Sequence, residues 1–244
     1  MSSWATSWFN SPYYHLLYQH RDEREARHFM TNLLHYINLP EQSHILDLAC
    51  GKGRHAVYLA EQNYRVTGID LASDSIAWAR HTVRKGLNFE VHDMRQPFPV
   101  RDLDAVFNLF TSFGYFETEE EHQQTLKNVS DSLKLGGRVV IDFLNVEKVI
   151  QNLVAEDTEN VNGIVFHQRR YVRNGYITKE IQFDDEGQRH SYQEKVRAFS
   201  LHCFRALLKP LALQIDTCFG DYDLNPFDEK ESSRLIILAT KSRF

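Results

Sequence analysis

At 244 residues the chain has room for one large domain or a domain with a modest insertion. Its composition, 42% hydrophobic and 25% charged, is ordinary for a globular protein, and a net charge of −5 gives no global basic field for nucleic acid or an anionic membrane. No apolar run approaches the ~20 residues that span a bilayer, and the scattered Cys50, Cys203 and Cys218 form no C-x-x-C pair, as expected of free thiols in the reducing cytoplasm.

In chain order, residues 1–9 lack the basic-then-apolar pattern of a secretory signal. Residues 12–38 place Leu16, Leu17, Phe29, Leu33, Leu34 and Ile37 at helical spacing, with the charged "HRDEREAR" toward water, so residues 1–40 read as an N-terminal helical cap. "HILDLA" is a buried strand, and residues 54–63 form a helix with Ala56, Val57, Leu59 and Ala60 inward. After the strand "YRVTGID" comes a helix over 73–85, with Ser73 at its start and Gly86 as its C-cap. "NFEVHD" and "LDAVFNLF" are strands, residues 119–135 a helix stopped by Gly136-Gly137, and "RVVIDFL" a fifth strand. Strands alternating with helices predict a parallel sheet wound by right-handed crossovers.

The pattern then changes. Residues 164–173, 176–184 and 188–199 are extended runs joined at Asn174-Gly175 and Glu186-Gly187, both hairpin signals. They predict a three-stranded antiparallel insertion over 160–199. Ser200 caps a short helix to Lys209, and "LALQIDTCF" and "SRLIILATK" are two closing strands within 200–244. The whole chain, 1–244, reads as a single domain with an inserted sheet.

The decisive corner is "HILDLACGKGRHA". Gly51 and Gly53 let backbone N–H groups approach a ligand, and the helix beyond them favours an anionic group. "GKGRHA" also satisfies the loose dinucleotide fingerprint G-x-G-x-x-G/A, with an acid about 20 residues on at Asp70. A P-loop is excluded because no G-K-[ST] follows. A dinucleotide, S-adenosylmethionine and a tight turn without a ligand stay open on this stretch alone. Asp47 in the strand end weighs against a nicotinamide fold, and Asp93 with Met94 offers an acceptor beside an apolar wall.

Taken together, "ILDLACGKGRHA", "VTGID", "VHDM", "DAVFNLFTSFGYF", "LKLGGRVVIDF" and "LQIDTCFG…SRLIILATK" resemble the class I S-adenosylmethionine-dependent methyltransferases. The resemblance covers residues 43–144 well and 200–241 moderately, and is closest to the small-molecule type with an antiparallel lid after the fifth strand. It implies an α/β, doubly wound, Rossmann-like seven-stranded mixed sheet with its last strand antiparallel, 43–144 being the cofactor-binding core. It implies transfer of a methyl group from S-adenosylmethionine to an O, N or C nucleophile of a small molecule. By the same resemblance Gly51 and Gly53 face the methionine and ribose parts of the cofactor, and Asp47 orients its amino-acid end. Asp70, followed by Leu71, takes the ribose hydroxyls, Asp93 and Met94 the adenine edge, and Asn108 and Leu109 lie beneath. Ala49 departs from the third glycine of many members.

For chemistry, Tyr13, Tyr14, Phe113 and Tyr115 are aromatic candidates for cation–π contact with a sulfonium, Tyr14 and Tyr115 being favoured by the family layout. His15 and His55 are candidate bases near neutral pH. Arg54 either meets the cofactor carboxylate or covers the helix start. "HQRRYVR" offers arginines to an anionic substrate, although seven basic and five acidic residues over 165–198 fit a solvated sheet face better. "NLFT" replaces the N-P-P-Y of base-amine and glutamine methylating members, and no spacing suits a metal. The expected partner is a small-molecule methyl acceptor, with neither nucleic acid nor membrane; a homodimer contact is compatible with the lid. The rivals are an NAD-dependent oxidoreductase and a non-catalytic S-adenosylmethionine-binding module.

Overall fold

The computed structural model describes residues 7–19 and 23–243. Residues 1–6 and 20–22, parts of the expected N-terminal cap and of "HRDEREAR", lie outside the described residues, as does Phe244. Helix α1 (Pro12–Leu17) starts where Ser11 accepts from the Tyr13 N–H, with proline in its first turn; α2 is Glu23–Ile37.

The alternating region gives β1 (His44–Leu48), α3 (Arg54–Glu61), β2 (Arg65–Asp70), α4 (Ser73–Ala79), β3 (Leu87–Val91), β4 (Leu103–Asn108), α5 (Glu119–Ser132) and β5 (Leu133–Leu144). Three expected helices are shorter, α3 ending at Glu61. α4 gives way to a 3-10 turn at Arg80–Thr82; its N-cap is Ala72, not Ser73, and Gly86 (φ +86°) makes the tight turn into β3. α5 ends at Ser132, and Gly136-Gly137 lies inside β5, where the register with β4 shifts between Leu103 and Ala105. The glycines therefore permit a bulge in a strand and do not stop a helix.

After α6 (Val146–Gln151), strands β6 (Glu156–Val161), β7 (Ile164–Arg173), β8 (Tyr176–Asp185) and β9 (Gln188–Arg197) form a separate antiparallel sheet. The lid thus has four strands where three were expected. Its hairpins turn at Asn162-Gly163, Asn174-Gly175 and Glu186-Gly187, each with positive φ at both residues, the type I′ geometry that suits twisted strands. α7 (Leu201–Leu208), capped by Ser200, then leads to β10 (Leu213–Phe219) and β11 (Arg234–Lys241).

The main sheet runs β10-β11-β5-β4-β1-β2-β3, and β11 is antiparallel to both neighbours. Its two faces are buried separately. Phe29, Leu33, Leu59 and Ile76 of α2, α3 and α4 cover one, and Leu126, Val129, Phe204 and Leu208 of α5 and α7 cover the other. The chain leaves β1 for β2 and β3 on one side and returns to β4 and β5 on the other, so a cleft opens beyond the carboxyl ends of β1 and β4. The lid packs Phe166, Ile181 and Phe183 against Trp8 and Leu17 of the N-terminal segment. Among the described residues no helix is long and apolar enough to cross a membrane. All three cysteines are free.

Candidate active site

A cavity of about 610 Å³ fills this cleft. Its floor is the turn after β1, where Ala49 (φ +64°) and Gly51 (φ +54°) take left-handed conformations and the N–H groups of Ala49 and Cys50 both donate to the Ile69 carbonyl. A Cβ on Gly51 would meet nothing within 4 Å, so this glycine leaves open space beside the cavity. On Gly53 (φ +82°), the N-cap of α3, a Cβ would come within 2.6 Å of the Phe89 ring. Gly51 lines the cavity and Gly53 does not.

Asp47 and Asp70 bring two carboxyl groups to this floor. Asp47 is 1% exposed, and its Oδ2 has no hydrogen-bond partner among the described residues. Burial, reinforced by the charge of Asp70 and opposed by a backbone bond from Ala56, pushes its pKa up to about 7. Asp70 accepts from the Gly51 N–H through Oδ2 and from the Ala72 N–H through Oδ1, both at 2.8 Å. Burial raises its pKa too, against the pull of these backbone donors.

The remaining expected residues divide. Leu71, Met94 and Leu109 line the cavity with Ala49. Asn108 lies beneath it, donating to the Leu48 carbonyl at 3.0 Å and so tying β4 to β1. Asp93 does not reach the cavity: Arg95 binds both its oxygens and also pairs with Glu121. Burial opposes the ionisation of Asp93, yet the Arg95 bonds lower its pKa overall.

Tyr14, His15, His55 and Tyr115 line the wall, whereas Tyr13 turns away to donate to Asp185 of the lid and Phe113 is buried in the core. Tyr14 meets Phe9 edge-on, and Phe9 meets Tyr115 likewise. His55 is buried and stacked on Phe110; burial and the neighbouring Arg54 lower its pKa to about 3, so its imidazole stays neutral, with Nε2 unpartnered among the described residues. Burial, then the charge of Lys52, lowers His15. Trp78 and Lys52 stand at the rim, the ammonium over the indole at 5.2 Å.

The comparisons with known proteins bear on this cavity. The family described as "Methyltransferase domain" matches residues 45–137, the segment from β1 to β5 that builds its floor. The putative methyltransferase YqeM of Bacillus subtilis is 28% identical over 226 residues, 84% of this chain and 87% of that protein. A solved S-adenosylmethionine-dependent methyltransferase from Clostridium acetobutylicum superposes with a TM-score of 0.80 at 21% identity, covering 95% of this chain and 96% of that one. The chain carries a methyltransferase domain and has the fold of the class I S-adenosylmethionine-dependent methyltransferases. A dTDP-3-amino-3,4,6-trideoxy-α-D-glucopyranose N,N-dimethyltransferase of Streptomyces venezuelae is 32% identical over 147 residues, 59% of this chain and 62% of that protein.

The cavity of the methyltransferase fits its cofactor on its own chemistry. A buried carboxylate oxygen with no donor among the described residues, a glycine with open space and an apolar wall of Leu71, Met94 and Leu109 suit a ligand with an ammonium group and a flat heterocycle.

A second cavity, of about 740 Å³, adjoins the first and shares Phe110, Thr111, Tyr115 and Glu194 with it. Two of these sit in a strained turn: Phe110 and Thr111 have φ of +55° and +57°. Asp142 of β5 holds them, taking the Phe110 N–H on its carboxylate at 2.8 Å and the Thr111 N–H on its carbonyl at 2.9 Å. Arg234 of β11 binds Asp142 at 2.7 Å and the Thr111 hydroxyl at 2.8 Å. Sequence reasoning missed Asp142, Arg234 and Glu194. A carboxylate in the otherwise apolar run "VVIDFL" was the available signal for the first; the others had none.

Proposed function

We propose that the methyltransferase binds S-adenosylmethionine in the first cavity and a small-molecule acceptor in the second, across the Phe110–Thr111 turn. The single observation that carries this reading is the buried Asp47 Oδ2, for which no described residue supplies a donor. In this reading Asp47 accepts from the cofactor's ammonium, Asp70 from its ribose hydroxyls, and Leu71, Met94 and Leu109 cover the adenine. Ala49 and Gly51 supply the close backbone, while Gly53 and Asn108 shape the floor from behind. Asp93 takes no cofactor contact, because Arg95 already satisfies it.

The bound cofactor supplies a methyl group activated by a sulfonium. The protein's part is to position the acceptor and exclude water. Tyr14, His15 and Tyr115 close the wall from the N-terminal segment and the post-β4 loop, and the aromatic faces suit a cationic centre. His55, neutral at physiological pH, is available as a hydrogen-bonding group and not as a strong base. An amine is the favoured nucleophile, since the Streptomyces venezuelae relative is named as an N,N-dimethyltransferase of an amino sugar.

Calorimetric titration with S-adenosylhomocysteine and, separately, NADH tests this. Binding of the first alone, weakened at least tenfold by Asp70→Ala, is expected from the loss of charged hydrogen bonds. Binding of NADH alone would overturn the reading.

A further inference from the structure

The lid side of the second cavity is crossed by one row of charge. Arg170 on β7 stands opposite Lys179 on β8, which stands opposite Glu194 on β9. The next row toward the Asn174-Gly175 turn is Val172, Ile177 and Val196. Arg170, Lys179 and Glu194 all line the cavity, with Ile177 and Val196 beside them. "HQRRYVR" is thus split by strand alternation: Arg169 and Arg173 are exposed, and Arg170 points inward.

Two cations directly opposite each other repel, and here they do so on a face whose adjoining row is apolar. Asp157 balances Arg170 in part, at 2.9 Å. Lys179 donates to the Tyr18 hydroxyl at 2.7 Å, and that hydroxyl donates to Glu194 at 2.7 Å. The Trp8 indole N–H also donates to Glu194 Oε1 at 2.7 Å. Two residues of the N-terminal segment therefore fix this carboxylate where the cavities meet. An ionised carboxylate has about four acceptor sites, so Glu194 can take a further donor beside the Trp8 and Tyr18 bonds. The core-side residues of the cavity are Glu25, Asp221 and Asp223 with His28 and Arg234; Arg234 is already held by Asp142 and His28 is bonded to Asp223, so the lid row offers an anion the better seat.

We propose that this row recognises an acceptor carrying both an amine and an anionic group, the anion between Arg170 and Lys179 and the amine at Glu194, at the mouth of the cofactor cavity. The inference rests on the two-cavity reading above and names the substrate class for it. An anion seated between the two cations removes their repulsion, and an ammonium at Glu194 completes the charge balance. A neutral phenol or alcohol does neither.

The test titrates the full chain, loaded with S-adenosylhomocysteine, with 2-aminoethyl phosphate and with its two halves, ethanolamine and 2-hydroxyethyl phosphate. The intact probe is expected to bind at least roughly tenfold more tightly than either half, the scale of one charged hydrogen bond. Lys179→Met, and independently Arg170→Gln, should erase the advantage over ethanolamine while S-adenosylhomocysteine still binds. Glu194→Gln should erase the advantage over 2-hydroxyethyl phosphate. Equal binding of all three probes, or none by a protein that binds S-adenosylhomocysteine, overturns this inference alone. Failure to bind S-adenosylhomocysteine overturns the cofactor assignment and this inference with it.

Discussion

Asp47 is a carboxyl group in the wrong solvent until a ligand arrives. Its pKa of about 7 in the folded protein, against about 3.9 in an unfolded chain, means that ionisation is disfavoured by folding. For an acid with a raised folded pKa, the associated stability is full below pH ~4 and is lost as pH rises to about 7. The loss is on the order of 4 kcal/mol, from about 3 pH units at about 1.36 kcal/mol each. Asp47→Asn should therefore raise the melting temperature of the ligand-free protein at pH 7.5 and change it little at pH 4. A bound ammonium favours the ionised form, so S-adenosylhomocysteine affinity should rise with pH by up to about tenfold per unit and level off near pH 7. Titrations of wild type and Asp47→Asn across pH 5–8 check this; the variant should be weaker and flat. The two glycines separate stability from binding in the same way. Gly53→Ala drives a Cβ to 2.6 Å from Phe89 at φ +82° and should lower the unfolding free energy by about 1–3 kcal/mol. Gly51→Ala meets no neighbour and carries only the backbone term, so its main effect should fall on cofactor affinity.

At the scale of elements, the turn after β4 is held from outside itself. Phe110 and Thr111 keep left-handed conformations because Asp142 and Arg234, brought together by the β5–β11 pairing, bind both residues. Asp142 is fully buried, so Arg234→Met leaves an unpaired carboxylate and should destabilise the protein by about 3–5 kcal/mol. Asp142→Asn combined with Arg234→Met should recover part of that loss in denaturant unfolding, while S-adenosylhomocysteine binding stays impaired because the turn is released. Such couplings explain what the sequence does and does not disclose. Among the main strands β1, β2, β4, β5 and β11 are legible because each carries a nearly continuous buried run, while β3 and β10 show only intermittent burial at the two edges of the sheet. β6 escapes notice because "EDTENV" is polar up to its last residue and mostly exposed, its strand character coming from pairing with β7. Asp70 ends β2 and Asp93 follows β3 by two residues, and in the sequence the two read alike. What separates them is Arg95, two residues after Asp93, whose guanidinium captures the second carboxylate and leaves the first to backbone N–H groups.

Across the whole molecule, the proposed acceptor site depends on how the lid is held over the core, where Ile177 and Val196 join the main core cluster and polar links add to them. The Arg197 N–H donates to the Gly114 carbonyl at 2.7 Å, the Arg197 guanidinium pairs with Glu119 at 2.7 Å, and the Tyr176 hydroxyl donates to the carbonyls of Phe116 and Glu117. Val196 packs where a Cβ on Gly114 would come within 3.0 Å. These links join β8 and β9 to the first residue of α5 and to the loop between β4 and α5, the same loop that carries Tyr115 into the cofactor cavity. The row of Lys179 and Glu194 lies on these two strands, so the lid's seat sets the distance from acceptor to cofactor. The cofactor floor, built from β1, β2 and β4, is independent of that seat. Arg197→Ala should cost only about 1 kcal/mol of global stability, since the Glu119 pair is partly exposed. S-adenosylhomocysteine affinity should stay within about threefold, a change of less than 1 kcal/mol, while binding of 2-aminoethyl phosphate to the loaded protein weakens by roughly tenfold or more, because misplacement of about 1 Å suffices for a large loss. Equal losses for both ligands would mean that lid and floor move as one body, and the acceptor site would then have to be sought on the core.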